Sequence, residues 1–130
     1  MQVNWLAVLA AAISAFVLGG LWYGPLFGRM WMKASGMTAE KAKQGNAGRT
    51  FGISFVLMIV AAIVLALFIG PDGTGNYGAT MGFGTGACFV GTMLGVFYLF
   101  EQRPVAHWLV NMAYATAAFT LMGFILGVWP

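Results

Sequence analysis

His107, Asn111 and Tyr114 stand at i, i+4 and i+7 within one apolar run, a spacing that lines an imidazole, an amide and a phenol along one side of a helix. Glu101 and Arg103 come just before them, and Tyr23 closes an earlier apolar run at the level expected for the same end. An imidazole titrates near neutral pH, and amide and phenol groups both donate and accept hydrogen bonds. Such a stripe suits a pocket or vestibule that leads about 10–15 Å inward from a charged rim, by the rise of a helix. In that reading Asn111 and Tyr114 touch a ligand or water and His107 tunes access. The plainer expectation is that His107 sits at an interface, Glu101 pairs with Arg103 in water, and Asn111 bonds a neighbouring helix, as polar groups in membranes commonly do.

Other chemistry is poorly supplied. One histidine, one cysteine and three carboxylates do not make a metal site, since zinc takes three or four nitrogen, sulfur or oxygen side chains. A Ser-His-Asp arrangement needs Asp72 and His107 together, and the expected topology puts a bilayer between them. Cys88 lies inside an apolar run, where it acts as a small hydrophobe. The glycines of "GTGNYG", "GFGTG" and Gly45 to Gly48 lack the order of a phosphate loop and follow no strand. No catalytic residue, metal or cofactor is expected, no nucleic-acid partner is indicated, and an enzyme is the least supported class.

The elements that must position these residues are set by composition. The chain has 130 residues, 61% hydrophobic and 7% charged, far from the soluble average of about 45–50% and about 25%. A helix crosses the hydrocarbon layer in about 20 apolar residues. Val3 to Tyr23, Phe51 to Ile69, Ala79 to Phe100 and Val105 to Val128 qualify, and none contains Lys, Arg, Asp or Glu. The alternating pattern of a membrane barrel is missing. The expected fold is an all-α membrane protein, residues 1–130 forming one four-helix domain. The first run lacks a preceding basic region, so it reads as a retained helix rather than a cleaved signal.

Charge predicts orientation. Arg29, Lys33, Lys41, Lys43 and Arg49 fall in the first connection and Arg103 in the third, so both connections are expected in the cytoplasm and both termini in the periplasm of a bacterial inner membrane. Within "LWYGPLFGRMWMK", Pro25 and Gly28 are expected to end the first helix. Leu26, Met30, Trp31 and Ala34 then form the apolar side of a short interfacial helix. Arg29 and Lys33, one turn apart on its edge, are placed to meet anionic headgroups. A short polar helical turn is expected from Thr38.

Small residues predict packing. Gly78, Gly82 and Gly86 recur every four residues, as do Ala87, Gly91 and Gly95, which reads as two bulk-free sides of the third helix. Ala7, Ala11, Ala15 and Gly19 make a ridge on the first helix, and Gly123 and Gly127 on the fourth. In lipid, helices associate by close approach rather than by hydrophobicity. More ridges than one small bundle should cover point to a homo-oligomer or an accessory subunit of a larger complex. The alternative is a small pore or transporter with its path between protomers, lined by Asn111, Thr116 or Thr120. A drug-proton antiporter of the small multidrug type needs a buried carboxylate in the first helix, and this chain offers only Ser14 there.

"VNWLAVL", "LWYGPLFGRMWMK", "FEQRPVAHWLVNMAY" and "LMGFILGVW" resemble the bacterial membrane family catalogued as domain of unknown function 1761. The resemblance runs along essentially the whole chain, most specifically at the Trp-Tyr turn and at Asn111, Tyr114, Gly123 and Trp129. It implies a membrane location and this fold, and it implies no reaction and no residue role.

Overall fold

A computed structural model describes residues 3–130. Its α-helices are α1 (Trp5–Leu21), α2 (Gly28–Ser35), α3 (Ala39–Gln44), α4 (Ala47–Ile69), α5 (Gly75–Gly84), α6 (Gly91–Phe100) and α7 (Val105–Val128), with π-helical segments at Trp22–Leu26 and Thr85–Val90. Four continuous spans result, Trp5–Leu26, Ala47–Ile69, Gly75–Phe100 and Val105–Val128, each long and apolar enough to cross a membrane. Connections alternate between a basic end, holding α2, α3 and the loop before Pro104, and a far end, holding the loop after Ile69.

Local chemistry explains the boundaries. The side chains of Asn4, Thr38, Asn46 and Thr74 accept from the amides of Ala7, Lys41, Arg49 and Tyr77, and so cap α1, α3, α4 and α5. Gly36 ends α2 at φ 76°, in the left-handed region glycine adopts freely. The spans therefore reach past their purely apolar stretches, starting at Ala47 and Gly75 rather than at Phe51 and Ala79. Pro25 does not end the first span. It lies inside the π segment, where the Phe27 amide donates to the Trp22 carbonyl at 2.8 Å. Proline cannot make the ordinary amide bond one turn back, and widening the turn by a residue carries the helix past it.

The core joins three spans. Ala7, Val8, Ala11 and Ala15 of α1 pack with Ala62, Leu65 and Ile69 of α4 and with Ala118, Met122 and Leu126 of α7. Alanines on one helix let the bulkier residues of the others come close, so small-to-large pairing sets the helix separation.

The third span meets α7 differently, through a row of glycines. A Cβ on Gly78 would strike the Gly123 carbonyl, one on Gly82 the Phe119 carbonyl, and one on Gly86 the Ala115 carbonyl. On the other side of the π segment the row continues, with Gly91 against the Met112 side chain and Gly95 against the Trp108 indole. Gly86 and Gly91 are five residues apart, and the Gly91 amide donates to the Gly86 carbonyl. The π turn thus absorbs the extra residue and merges the two expected glycine rows into a single face on α7.

This corrects the argument that small residues must find partners outside. Ala7, Ala11 and Ala15 are fully buried, Gly19 lies against the Tyr114 hydroxyl, and Gly123 and Gly127 face Gly78 and Thr74. Apart from Ala87, which lines an open groove, the ridges are covered within the chain. One bundle suffices because the third span turns one glycine face, not two, toward one helix.

Candidate functional site

The polar stripe of α7 is reached through the basic end. Pro104, extended at φ −61° and ψ 149°, starts the helix, a position where proline's missing amide proton is not needed. The turn before it is tightly closed: the Arg103 amide donates to the Tyr98 carbonyl at 2.8 Å and the Gln102 amide to the Leu99 carbonyl at 3.2 Å. This is the pattern of a helix C-terminus closed by a left-handed residue, and here that residue is Gln102, at φ 57°. Glu101 and Arg103 are thereby brought together at 3.4 Å, both exposed, a pair of small energetic weight in water. The Arg103 guanidinium also donates to the Ser35 carbonyl at 3.2 Å, tying the end of α2 to this loop.

Inward from that rim, Asn111 is the hub. Its Oδ1 accepts from the Tyr23 hydroxyl at 2.6 Å, and its Nδ2 donates to the Tyr98 hydroxyl at 2.8 Å. One amide therefore links the first, third and fourth spans, its oxygen and its nitrogen each meeting a phenol hydroxyl. The Tyr114 hydroxyl, one turn further in, donates to the Ala15 carbonyl at 2.8 Å. The indoles act alike: Trp22 donates to the Val110 carbonyl at 3.1 Å and Trp108 to the Gly91 carbonyl at 2.8 Å. Aromatic edges fill the space between, with Tyr23 edge-on to Trp31 at 5.6 Å and to Tyr114 at 5.2 Å.

His107 stacks on Tyr98, ring centres 4.5 Å apart and planes at 15°. It is 7% exposed, and its Nδ1 is enclosed without a hydrogen-bond partner.

Tyr23, Asn111 and Tyr114 thus come together as the stripe and level argument expects, with His107 beside them and Glu101 and Arg103 at the rim. The hydroxyls of Tyr23 and Tyr114 and the Asn111 amide bond within the chain. Tyr98 and Trp108 are the members the sequence reasoning missed. Tyr98 is one of only four tyrosines and closes the third span at the level of Tyr23, which is the signal that was there to be used.

Two cavities stand out, and neither is lined by His107, Asn111 or Tyr114. One, about 240 Å³, lies at the far end between Asn4, Gly70, Pro71, Trp129 and neighbouring residues. The other is an open apolar groove of about 850 Å³ between the third span and α7, with Ala79, Ala87, Ala113 and Ala117 among its small residues and Phe83 and Phe124 among its large ones. Thr116 and Thr120 also line it, their hydroxyls donating to the Met112 and Thr116 carbonyls of their own helix. Among the described residues no group of three or more His, Cys, Asp or Glu is placed to hold a metal.

Comparison with known proteins places this arrangement. The chain is 35% identical over 101 residues to two curated rice proteins named sucrose transport protein SUT5, from Oryza sativa subspecies indica and japonica. Each match covers 75% of this chain and 18% of the relative, so the chain spans less than a fifth of those proteins' length. No solved structure matches it. The model of a family described as a protein of unknown function, DUF1761, matches residues 6–127, which takes in all four spans, the Asn111 hub and the glycine face: the chain belongs to the DUF1761 family.

Proposed function

We propose that this small membrane protein acts by association, as a homo-oligomer whose contact surface is the apolar groove between the third span and α7. The observation that carries the reading is the depth of that groove. Its α7 lining runs from Met112 to Phe124, about 18 Å of helix at about 1.5 Å per residue, and is centred close to the middle of Val105–Val128. A lipid tail reaches only from its own surface to the middle of the layer, about 15 Å. A groove that straddles the middle is matched better by a helix, which passes through both leaflets without a break. Small residues on its lining allow the close approach on which helix contact in lipid depends. The internal glycine and alanine ridges play no part in this reading.

Mass measurement of the full chain in lipid nanodiscs of different sizes tests it. An oligomer is expected for the wild type, and Ala117→Trp, which fills the groove, is expected to give a folded monomer. A wild type that is monomeric throughout, or an oligomer indifferent to Ala117→Trp, ends the reading.

A second reading has one observation of its own. The partial likeness to sucrose transport proteins, together with Thr116 and Thr120 in the same groove, favours solute passage between protomers. Uptake of labelled sugars into liposomes holding the purified chain separates the two, since association alone moves no solute.

A further inference from the structure

The basic end carries a second surface that owes nothing to the groove. Arg29, Lys33, Lys41, Lys43 and Arg49 are all exposed, and among the described residues the sole ion pair is Glu101 with Arg103. Five cations therefore lack a carboxylate partner among the described residues, on a segment whose one acidic residue is Glu40. Cations without internal partners are free to meet external anions.

Their placement selects the anion. α2 begins two residues after the first span ends at Leu26, so it lies where the apolar layer gives way to headgroups. It is fixed there from two sides. Trp31 packs edge-on against Tyr23, itself bonded to Asn111, and the Ser35 carbonyl is held by Arg103. With that face against the bundle, Arg29 and Lys33 project one turn apart, about 6 Å along the axis. Leu26 and Met30, at 61% and 50% exposure, present apolar side chains beside them. Leu26 thus closes the span rather than joining α2 as the sequence suggests, and its exposed side chain, with Met30 and the unpaired cations of α2, gives the chemistry of an interfacial, anion-seeking segment.

We propose that α2 binds the phosphates of anionic phospholipids in the leaflet at the basic end. Arg29 and Lys33 are the headgroup contacts, and Lys41, Lys43 and Arg49 supply longer-range attraction. A lipid phosphate is chosen over an acidic protein because the contact cations leave directly from a membrane span and are flanked by exposed apolar residues, which a water-soluble partner would leave uncovered.

Native mass spectrometry of the full chain, released from nanodiscs of equal phosphatidylglycerol and phosphatidylcholine, tests the proposal. Wild type is expected to retain phosphatidylglycerol about thirtyfold over phosphatidylcholine, a ratio set by two close cations. The double variant Arg29→Gln, Lys33→Gln is expected to bring the ratio near one, while the charge-conserving exchange Arg29→Lys, Lys33→Arg keeps it. Tryptophan fluorescence melting of each variant in the same discs checks that the fold survives. Equal retention of the two lipids by wild type overturns the proposal. So does a phosphatidylglycerol preference that persists in the melting-competent glutamine variant, or tight capture of polyglutamate by wild type in pure phosphatidylcholine discs with no lipid preference.

Discussion

At the basic end, spans are joined by side chains that reach across: Tyr23 to Asn111, Asn111 to Tyr98, Tyr114 to Ala15, Trp108 to Gly91. At the far half, the third span and α7 touch through their backbones, with Gly78 and Gly82 set against Gly123 and Phe119. Lipid tails are as apolar as leucine, so neither region is held by expulsion of water from between helices. One region gains its specificity from hydrogen bonds whose alternative is an unpaired group in hydrocarbon. The other gains it from a separation that only glycine permits. The first tolerates small shifts of the helices because side chains can follow, and the second tolerates almost none.

Breaking the backbone contact should have the largest effect. Gly82→Leu forces a branched side chain into the Phe119 carbonyl, and a loss of about 3 kcal/mol or more is expected from overpacking without room to relax. Unfolding in mixed micelles with increasing dodecyl sulfate measures it. Gly84→Ala is the control, since nothing lies within 4 Å of an added Cβ there, and it should unfold no earlier than wild type. Equal destabilisation by both would mean that the glycine face is not a contact.

Removing the hub should cost less. Asn111→Leu deletes both bonds that link Tyr23 and Tyr98, and at about 0.6 kcal/mol for a typical membrane hydrogen bond, rising to about 1.7, a loss of about 1–2 kcal/mol is expected by the same assay. A loss as large as that of Gly82→Leu would show that the two regions do not differ as described.

The smallest effect is a gain. Gln102 holds a left-handed conformation that costs a side-chain-bearing residue about 1 kcal/mol relative to glycine. Gln102→Gly should therefore raise stability by up to about 1 kcal/mol, leaving the bonds of Arg103 unchanged. Decreased stability would mean that the Gln102 side chain contributes something the backbone bonds do not.

What could be read from the sequence follows the same division. Hydropathy marks a span because every residue in it faces either lipid or another apolar helix, so the four spans were legible, and the mixed apolar and basic pattern after Gly28 marked the short α2. Boundaries were less so: Asn46 and Thr74 start helices by capping, a hydrogen-bond property that hydropathy does not weigh. The polar stripe was legible on α7 because spacing along one helix fixes a side. Its partners Tyr98 and Trp108 were not, since which residue of another span faces the stripe depends on that span's rotation. The glycine rows were seen but placed on two sides. A uniform 3.6-residue repeat puts Gly86 and Gly91 on different faces, and only the π turn brings them together.

That turn also makes one position of the third span expendable in length. A helix that loses a residue rotates everything beyond the deletion by about 100°, which elsewhere in Gly75–Phe100 would swing Gly91 and Gly95 away from Met112 and Trp108. Within Thr85–Val90 the loss of one residue instead converts a wide turn to an ordinary one and leaves both halves facing as before. Deletions of one residue are therefore filtered by place: this chain can lose a residue at the middle of its third span while keeping the same pairing of helices on both sides.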